Sequence, residues 1–424
     1  MRPETERRPV GTGHLLALGV NGIVGVGIFF APADLAARAP GAGTAIFAVT
    51  ALALVPVALA FAALGRRFDE DGGPVVFARA AFGPLPAFVV GWIAYVSAIA
   101  SSAAVIVGLT TAVGPTVGID GEAGQRAAST ILAALLAALC ALGLRLSARA
   151  WTALTVLKLL PLIALALVYV FSPEMAVAAP SPVSVEGIEP SWGAAALIAT
   201  FTYQGFEIVP VLAGQARRPA VSVPLATVGS LAIAAVLYVV LQAACASALP
   251  HLAASRAPLV EAAAVHGGPG LAAFVGAGTS LSALGIAFGM MAATPFYLAA
   301  LARVDGLGMG LAAVDARGVA SRALFATWAL VTLLVQAGGR GELFALSSIA
   351  VLIQYLVTAA ALLALALRRQ RGLTMRHAAL AVPAGILSLA LAAGASPREA
   401  IAAAAALLVG FVIRATIHRR SRTA

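Results

Sequence analysis

The sequence predicts an all-α polytopic membrane protein with about twelve spanning helices, two of them interrupted. Three observations carry that prediction. Of 424 residues, 61% are hydrophobic and 10% charged, whereas a soluble domain averages about 45–50% apolar and about 25% charged. Apolar stretches of spanning length recur from end to end. The basic residues sort by side. Together these exclude a water-soluble enzyme, a disordered chain and a disulfide scaffold.

A spanning helix needs about 20 mostly apolar residues. By that measure the candidate spans are 13–36, 42–65, 84–113, 126–145, 151–171, 191–213, 222–249, 270–302, 322–338, 342–367, 374–394 and 397–415. With the N-terminus in the cytoplasm, 21 of the 26 Arg fall on the cytoplasmic side. Arg38, Arg126, Arg256, Arg340 and Arg398 fall on the other. That asymmetry is the positive-inside bias, and it places both termini in the cytoplasm. It also accounts for the net charge of +10 without a nucleic-acid partner. The first apolar stretch is too long for a cleaved signal segment, and a bacterial inner membrane is the expected compartment. Cys140 and Cys245 lie inside apolar runs and read as small core residues. The five His are scattered without ligand spacing, so no metal or cofactor is expected. The segment 69–82 reads as a turn and a short amphipathic helix, and 250–268 as an outer loop carrying a short helix.

Two spans differ from the rest. The first contains Asn21-Gly22-Ile23-Val24-Gly25-Val26-Gly27-Ile28-Phe29. Each Gly costs about 1 kcal/mol relative to Ala in a helix interior, so this is the segment's weakest point. The sixth contains Thr200-Phe201-Thr202-Tyr203-Gln204-Gly205-Phe206-Glu207, followed by Pro210. Unwound backbone survives in a membrane only where it is buried in protein or lines a cavity. Interruptions at corresponding positions of two halves mark a transporter binding site. Here they lie five spans apart, which implies two five-helix units related by inversion. The chain then reads as one transmembrane domain: 13–171 and 191–367 as the repeats, and 374–415 as two added helices.

These residues resemble bacterial permeases of the amino acid–polyamine–organocation superfamily. Gly25-Val26-Gly27-Ile28-Phe29 matches the family's signature in the first helix. Gly72-Gly73-Pro74-Val75-Val76-Phe77-Ala78-Arg79-Ala80-Ala81-Phe82-Gly83 is similar to the run before its third helix. Phe201 to Glu207 looks like its sixth-helix motif, and Leu157-Lys158-Leu159-Leu160-Pro161 resembles the fifth-helix pattern of proton-coupled members. The chain departs from the family at Gln215, at Thr294-Pro295-Phe296-Tyr297 and at Arg317-Gly318-Val319-Ala320. The resemblance implies a five-plus-five inverted repeat (LeuT-like) with the first and sixth helices unwound. It also implies an amino acid substrate, H⁺ as coupling ion and alternating access.

A free amino acid needs donors for its carboxylate and acceptors for its ammonium, because unpaired charge in a dry site is costly. The N–H groups of Val26, Gly27 and Ile28 open the second half of the first span, where a helix dipole favours an anion. Small residues such as Gly25 allow close approach. Carbonyls near Gly22 and Ile23, and near Phe201 and Thr202, can accept from the ammonium. The family adds aromatic cover of the substrate side chain, which points to Phe201, Tyr203 and Phe206; ordinary packing is the competing reading. No mid-membrane carboxylate besides Glu207 is evident, so neutral substrates are expected.

Lys158 is the only Lys in the chain. A buried ionisable residue in a membrane span is a functional hypothesis by default. An amine that takes up and releases a proton suits proton coupling, and the resemblance implies that role. The alternative is snorkelling, since Lys158 lies about 10 Å from the cytoplasmic end of its span at about 1.5 Å per residue. For Glu207 a proton-carrying role competes with capping of the unwound segment. Exchange or facilitated passage is the rival within the class. A membrane-embedded enzyme is the rival outside it, but no nucleophile or metal constellation supports one.

Overall fold

The computed structural model describes residues 11–68, 72–119, 121–143, 148–171, 189–305, 309–316 and 318–423. These residues form helices and contain no β-strand. Among the described residues, eight helices are long and apolar enough to cross a membrane. A broken pair bent by 42° makes a ninth when counted as one span.

That pair is α1 (Thr12–Ile23) and α2 (Gly27–Arg38). It occupies the first candidate span, and its break at 24–26 falls in the glycine-rich segment. After α3 (Gly43–Gly65), Gly72 and Gly73 turn the chain with positive φ into α4 (Pro74–Phe82). Gly83, also at positive φ, turns it again into α5 (Pro84–Val113). Both helices begin on Pro, whose missing N–H costs nothing at a helix start. Next come α6 (Glu122–Ala141) and α7 (Ala148–Phe171). The apolar part of α7, Val156–Phe171, is shorter than a full span.

The second break separates α8 (Trp192–Tyr203) from the single turn α9 (Ile208–Val211). Ser191 caps α8, its Oγ accepting from the Ala194 amide at 3.2 Å. Then α10 (Pro219–Ala248) leads to α11 (Pro258–Asp305), which kinks at Gly268 with φ 74°. The short helix expected in the outer loop is therefore the first section of α11. The remaining helices are the short α12 (Met309–Ala312), α13 (Ser321–Ala337), α14 (Arg340–Leu367), α15 (Met375–Ala392) and α16 (Pro397–Thr423).

Burial orders them. The most apolar stretches of α5 and α14 are each 67% buried, whereas that of α16 is 11% buried. So α5 and α14 are core helices, and α16 presents an apolar flank suited to lipid. Between membrane helices there is little hydrophobic drive, and close packing with hydrogen bonds substitutes for it. Ser97 and Ser101 of α5 meet the Ser347 hydroxyl of α14 at 3.1 and 2.6 Å. Ser348 donates to the Leu197 carbonyl of α8 at 2.8 Å. Gly278 of α11 leaves a notch that the Pro161 ring of α7 fills. At the periphery, Trp92 donates through Nε1 to the Ala406 carbonyl at 2.7 Å, and its ring lies against Gly410.

A Cβ at Gly410 would lie 2.5 Å from Trp92 Cδ1. Gly410→Val should therefore lower the melting temperature in detergent, overpacking costing about 1–3 kcal/mol. Trp92→Phe, which removes the hydrogen bond to Ala406 and part of the ring packed against Gly410, should lower it as well.

Candidate functional site

The two breaks lie against each other. A Cβ on Gly22 would come within 3.1 Å of the Gly205 carbonyl oxygen, and one on Gly205 would overlap Gly22 and Ile23. Gly205 also has φ 131°, a conformation that L side chains avoid. This position requires glycine for both reasons. Gly27 is nearly as tight, since a Cβ there would lie 3.0 Å from Thr202 Cα and 3.3 Å from Phe201 Cδ1. Gly25 is different: the nearest atoms are the Ile23 carbonyl at 3.6 Å and Ile286 Cδ1 at 4.0 Å. Of the glycines at the first break, Gly22 and Gly27 bring the two broken helices together, and Gly25 has room for a Cβ at ordinary contact distance.

Opening a helix in a membrane leaves backbone groups that must find partners. Lys158 supplies two bonds, its Nζ donating to the carbonyls of Asn21 at 3.0 Å and Val24 at 2.5 Å. The side chain is 4% exposed. It reaches across to the break and does not snorkel. No carboxylate pairs with it among the described residues. The Tyr238 hydroxyl donates to the Ile23 carbonyl at 2.8 Å, and the Gly25 amide reaches the same oxygen at 2.6 Å. The Gly22 carbonyl receives no hydrogen bond among the described residues. The N–H groups of Val26, Gly27 and Ile28 begin α2 and so have no acceptor within that helix.

At the second break, Glu207 folds back on its own turn. Its Oε2 accepts from the Gly205 amide and from the Tyr355 hydroxyl, each at 2.9 Å. This is the capping arrangement. The Phe201 carbonyl accepts from the Gln204 amide at 3.2 Å, and the Thr202 carbonyl receives no bond among the described residues. The Thr202 hydroxyl is spent on the Ile198 carbonyl.

The three aromatics of this segment diverge. Phe201 stacks on Phe344 at 4.1 Å, beside Gly27. Tyr203 is fully buried, packs against Phe47 and Tyr238, and donates to the Phe47 carbonyl at 3.2 Å. Phe206 is fully buried against Phe61 and Tyr355. Only Phe201 borders the contact between the breaks.

Residues that the sequence reading passed over complete the site: Tyr238, Tyr355, Gln204, Phe344 and Ser347. A signal existed for the tyrosines. A Tyr in mid-span must find an acceptor for its hydroxyl, and both find one at a break.

A bundle of apolar helices with two facing breaks and a buried Lys at its centre defines a multi-pass membrane protein with a polar core. The chain belongs to the amino acid permease family of the amino acid–polyamine–organocation superfamily, matching its pattern over residues 11–417. It is similar to an uncharacterized transporter of Mycobacterium tuberculosis, 29% identical over 99% of this chain and 94% of that protein. It is also similar to a branched-chain amino acid permease of Bacillus subtilis, 29% identical over 58% of this chain and 56% of that one. An arginine/ornithine antiporter of Pseudomonas aeruginosa is 34% identical over 38% of this chain and 34% of its own length. The chain is a transporter, not an enzyme.

Gly205→Ala should abolish amino acid uptake in proteoliposomes, because two backbones would have to separate. Gly25→Ala places its methyl at ordinary contact distance from Ile23 and Ile286, so it should reach the membrane in normal amount and raise KM. Equal transport by Gly205→Ala and wild type would disprove the close-contact account.

Proposed function

We propose that the protein is a proton-coupled symporter of neutral amino acids that works by alternating access in a bacterial inner membrane, with both termini cytoplasmic. The carrying observation is Lys158, whose Nζ holds the Asn21 and Val24 carbonyls at the first break. The same break holds the donors suited to a substrate carboxylate. The N–H groups of Val26, Gly27 and Ile28 receive the carboxylate. The Gly22 and Thr202 carbonyls receive the ammonium, Ile23 and the Phe201 carbonyl being already engaged. The Phe201 ring covers the substrate side chain. Tyr203 and Phe206 pack away from it, the first against Phe47 and Tyr238 and the second against Phe61 and Tyr355.

Two inverted units fit this reading: α1 to α7 with a broken first span, and α8 to α14 with a broken sixth. Then α15 and α16 are additions, and α7, α13 and the α8–α9 pair complete twelve spans. Each broken helix is tethered to an unbroken one, α1 by Lys158 of α7 and Tyr238 of α10, the second break by Tyr355 of α14.

The proton acts through Lys158. As an ammonium it makes charge-assisted bonds to carbonyls at the C-terminal end of α1, where the helix dipole favours a cation. As an amine it makes ordinary ones, and the break loosens. Glu207 serves as the structural cap of the second break. Neutral substrates are supported by the lack of another carboxylate at the site among the described residues.

Uptake of labelled amino acids in proteoliposomes, with and without an inward proton gradient, tests this. Wild type should concentrate neutral amino acids only with the gradient. Lys158→Ala should lose gradient stimulation while keeping counterflow exchange. Unchanged pH-dependent uptake in that variant would overturn the coupling role. Competition by arginine or lysine as strong as by alanine or leucine would overturn the neutral class. Uptake dependent on internal substrate but not on the gradient would identify an exchanger, as the similarity to an antiporter allows.

A further inference from the structure

Gln204 begins the second break and holds an amide where packing alone would favour an aliphatic side chain. The Ser347 hydroxyl of α14 donates to its Oε1 at 3.0 Å. Ser101 and Ser97 of α5 approach that same hydroxyl at 2.6 and 3.1 Å, and Ser97 also donates to the Ser347 carbonyl at 3.2 Å. The Gln204 Nε2 is enclosed and has no partner among the described residues. Rotating the amide by half a turn does not cure this. Its nitrogen carries two N–H groups, and Ser347 can accept only one of them, leaving the other N–H and the displaced oxygen unpaired. Three residues away on each helix, the Phe201 and Phe344 rings stack at 4.1 Å. The wall between α8 and α14 is thus apolar on one rung and an amide with hydroxyls on the next. Gly205, the next residue, touches Gly22 at the first break.

We propose that this wall selects small amino acids with a hydroxyl side chain, threonine and serine, over apolar ones of the same shape, and that Gln204 is the residue that reads the hydroxyl. This rests on the permease reading above and narrows its neutral class. An unpaired buried amide destabilises a fold and calls for an explanation, and a ligand that completes it is the one inferred here. A hydroxyl both donates and accepts, so it satisfies the amide in either orientation. The stacked rings meet the apolar remainder of the side chain. A cationic side chain has no free carboxylate here among the described residues, since Glu207 is held by Gly205 and Tyr355. A leucine or valine side chain would leave the amide unpaired in the loaded carrier. Sites built to hydrogen-bond a substrate hydroxyl reject the analogue that lacks it.

Threonine and valine form the test pair, because they differ by a hydroxyl in place of a methyl. In proteoliposomes, the wild-type kcat/KM for threonine should exceed that for valine by about tenfold or more. Gln204→Leu should bring the ratio to about one or invert it, and Ser347→Ala should narrow it. Equal or better transport of valine by wild type overturns the inference without any variant, as does an unchanged ratio in Gln204→Leu. If Gln204→Leu fails to fold, the wild-type ratio and Ser347→Ala decide. Transport of neutral amino acids without preference for threonine overturns this inference alone. No amino acid uptake under any gradient overturns the permease reading and this inference with it.

Discussion

The structure depends on one contact, the backbone of Gly22 against the backbone of Gly205. Two helices cannot be opened inside a membrane independently, because every freed N–H and C=O left in hydrocarbon costs several kcal/mol. Placed back to back, the breaks share one interior, and a few long side chains from neighbouring helices can serve both. Lys158 comes from α7, Tyr238 from α10 and Tyr355 from α14, and each delivers its polar end to a break. The carbonyls that Lys158 and Tyr238 bind are free because α1 ends there, and Tyr355 binds the carboxylate that caps the second break. A side chain on Gly205 would remove the contact, and with it the reason for the three donors to converge.

The same contact explains which features were legible in the sequence. The breaks were, because Gly and a Gln-Gly-Phe-Glu run disrupt otherwise unbroken apolar segments. So was the oddity of Lys158, whose charge in an apolar run demands a partner; that its partners are the Asn21 and Val24 carbonyls follows only from the bend at 24–26. The roles of the glycines were not separable. Gly22, Gly25 and Gly27 look alike in a sequence, yet two meet the other broken helix and the third would meet Ile23 and Ile286 only at ordinary contact distance. Which neighbour each meets is a property of the rotation of α1 and α2, which the 42° bend sets.

Side chains divide in the same way. Phe201, Tyr203 and Phe206 belong to one motif but point to different places, because the chain leaves helical geometry at Gln204. Before that point the spacing of a helix fixes direction; beyond it, Phe206 turns to Phe61 and Tyr355. Serines are the hardest case. Ser97, Ser101 and Ser347 are ordinary residues of membrane helices, and nothing in their spacing tells that three hydroxyls and an amide meet. The candidate spans were legible because apolar length is a local property. The polar lining of the centre was not, since it is made by pairs such as Ser97 and Ser347, 250 positions apart.

The character of the Lys158 bonds bears on how a proton could be coupled to a substrate. A Lys paired with a carboxylate forms an ion pair that is costly to break from either side when buried. Lys158 instead faces two carbonyl dipoles, so its charge is compensated only partly by the protein. The donors of Val26, Gly27 and Ile28 follow within four residues of Val24, on the far side of the same bend. An anion gathered there and a cation held at Asn21 and Val24 attract through a short, poorly screened path. Linkage makes that attraction mutual: whatever favours the bound carboxylate when the proton is present favours the proton when the carboxylate is present. In the proposed symport the carrier needs no separate proton site, because the substrate supplies the counter-charge that the protein withholds from Lys158.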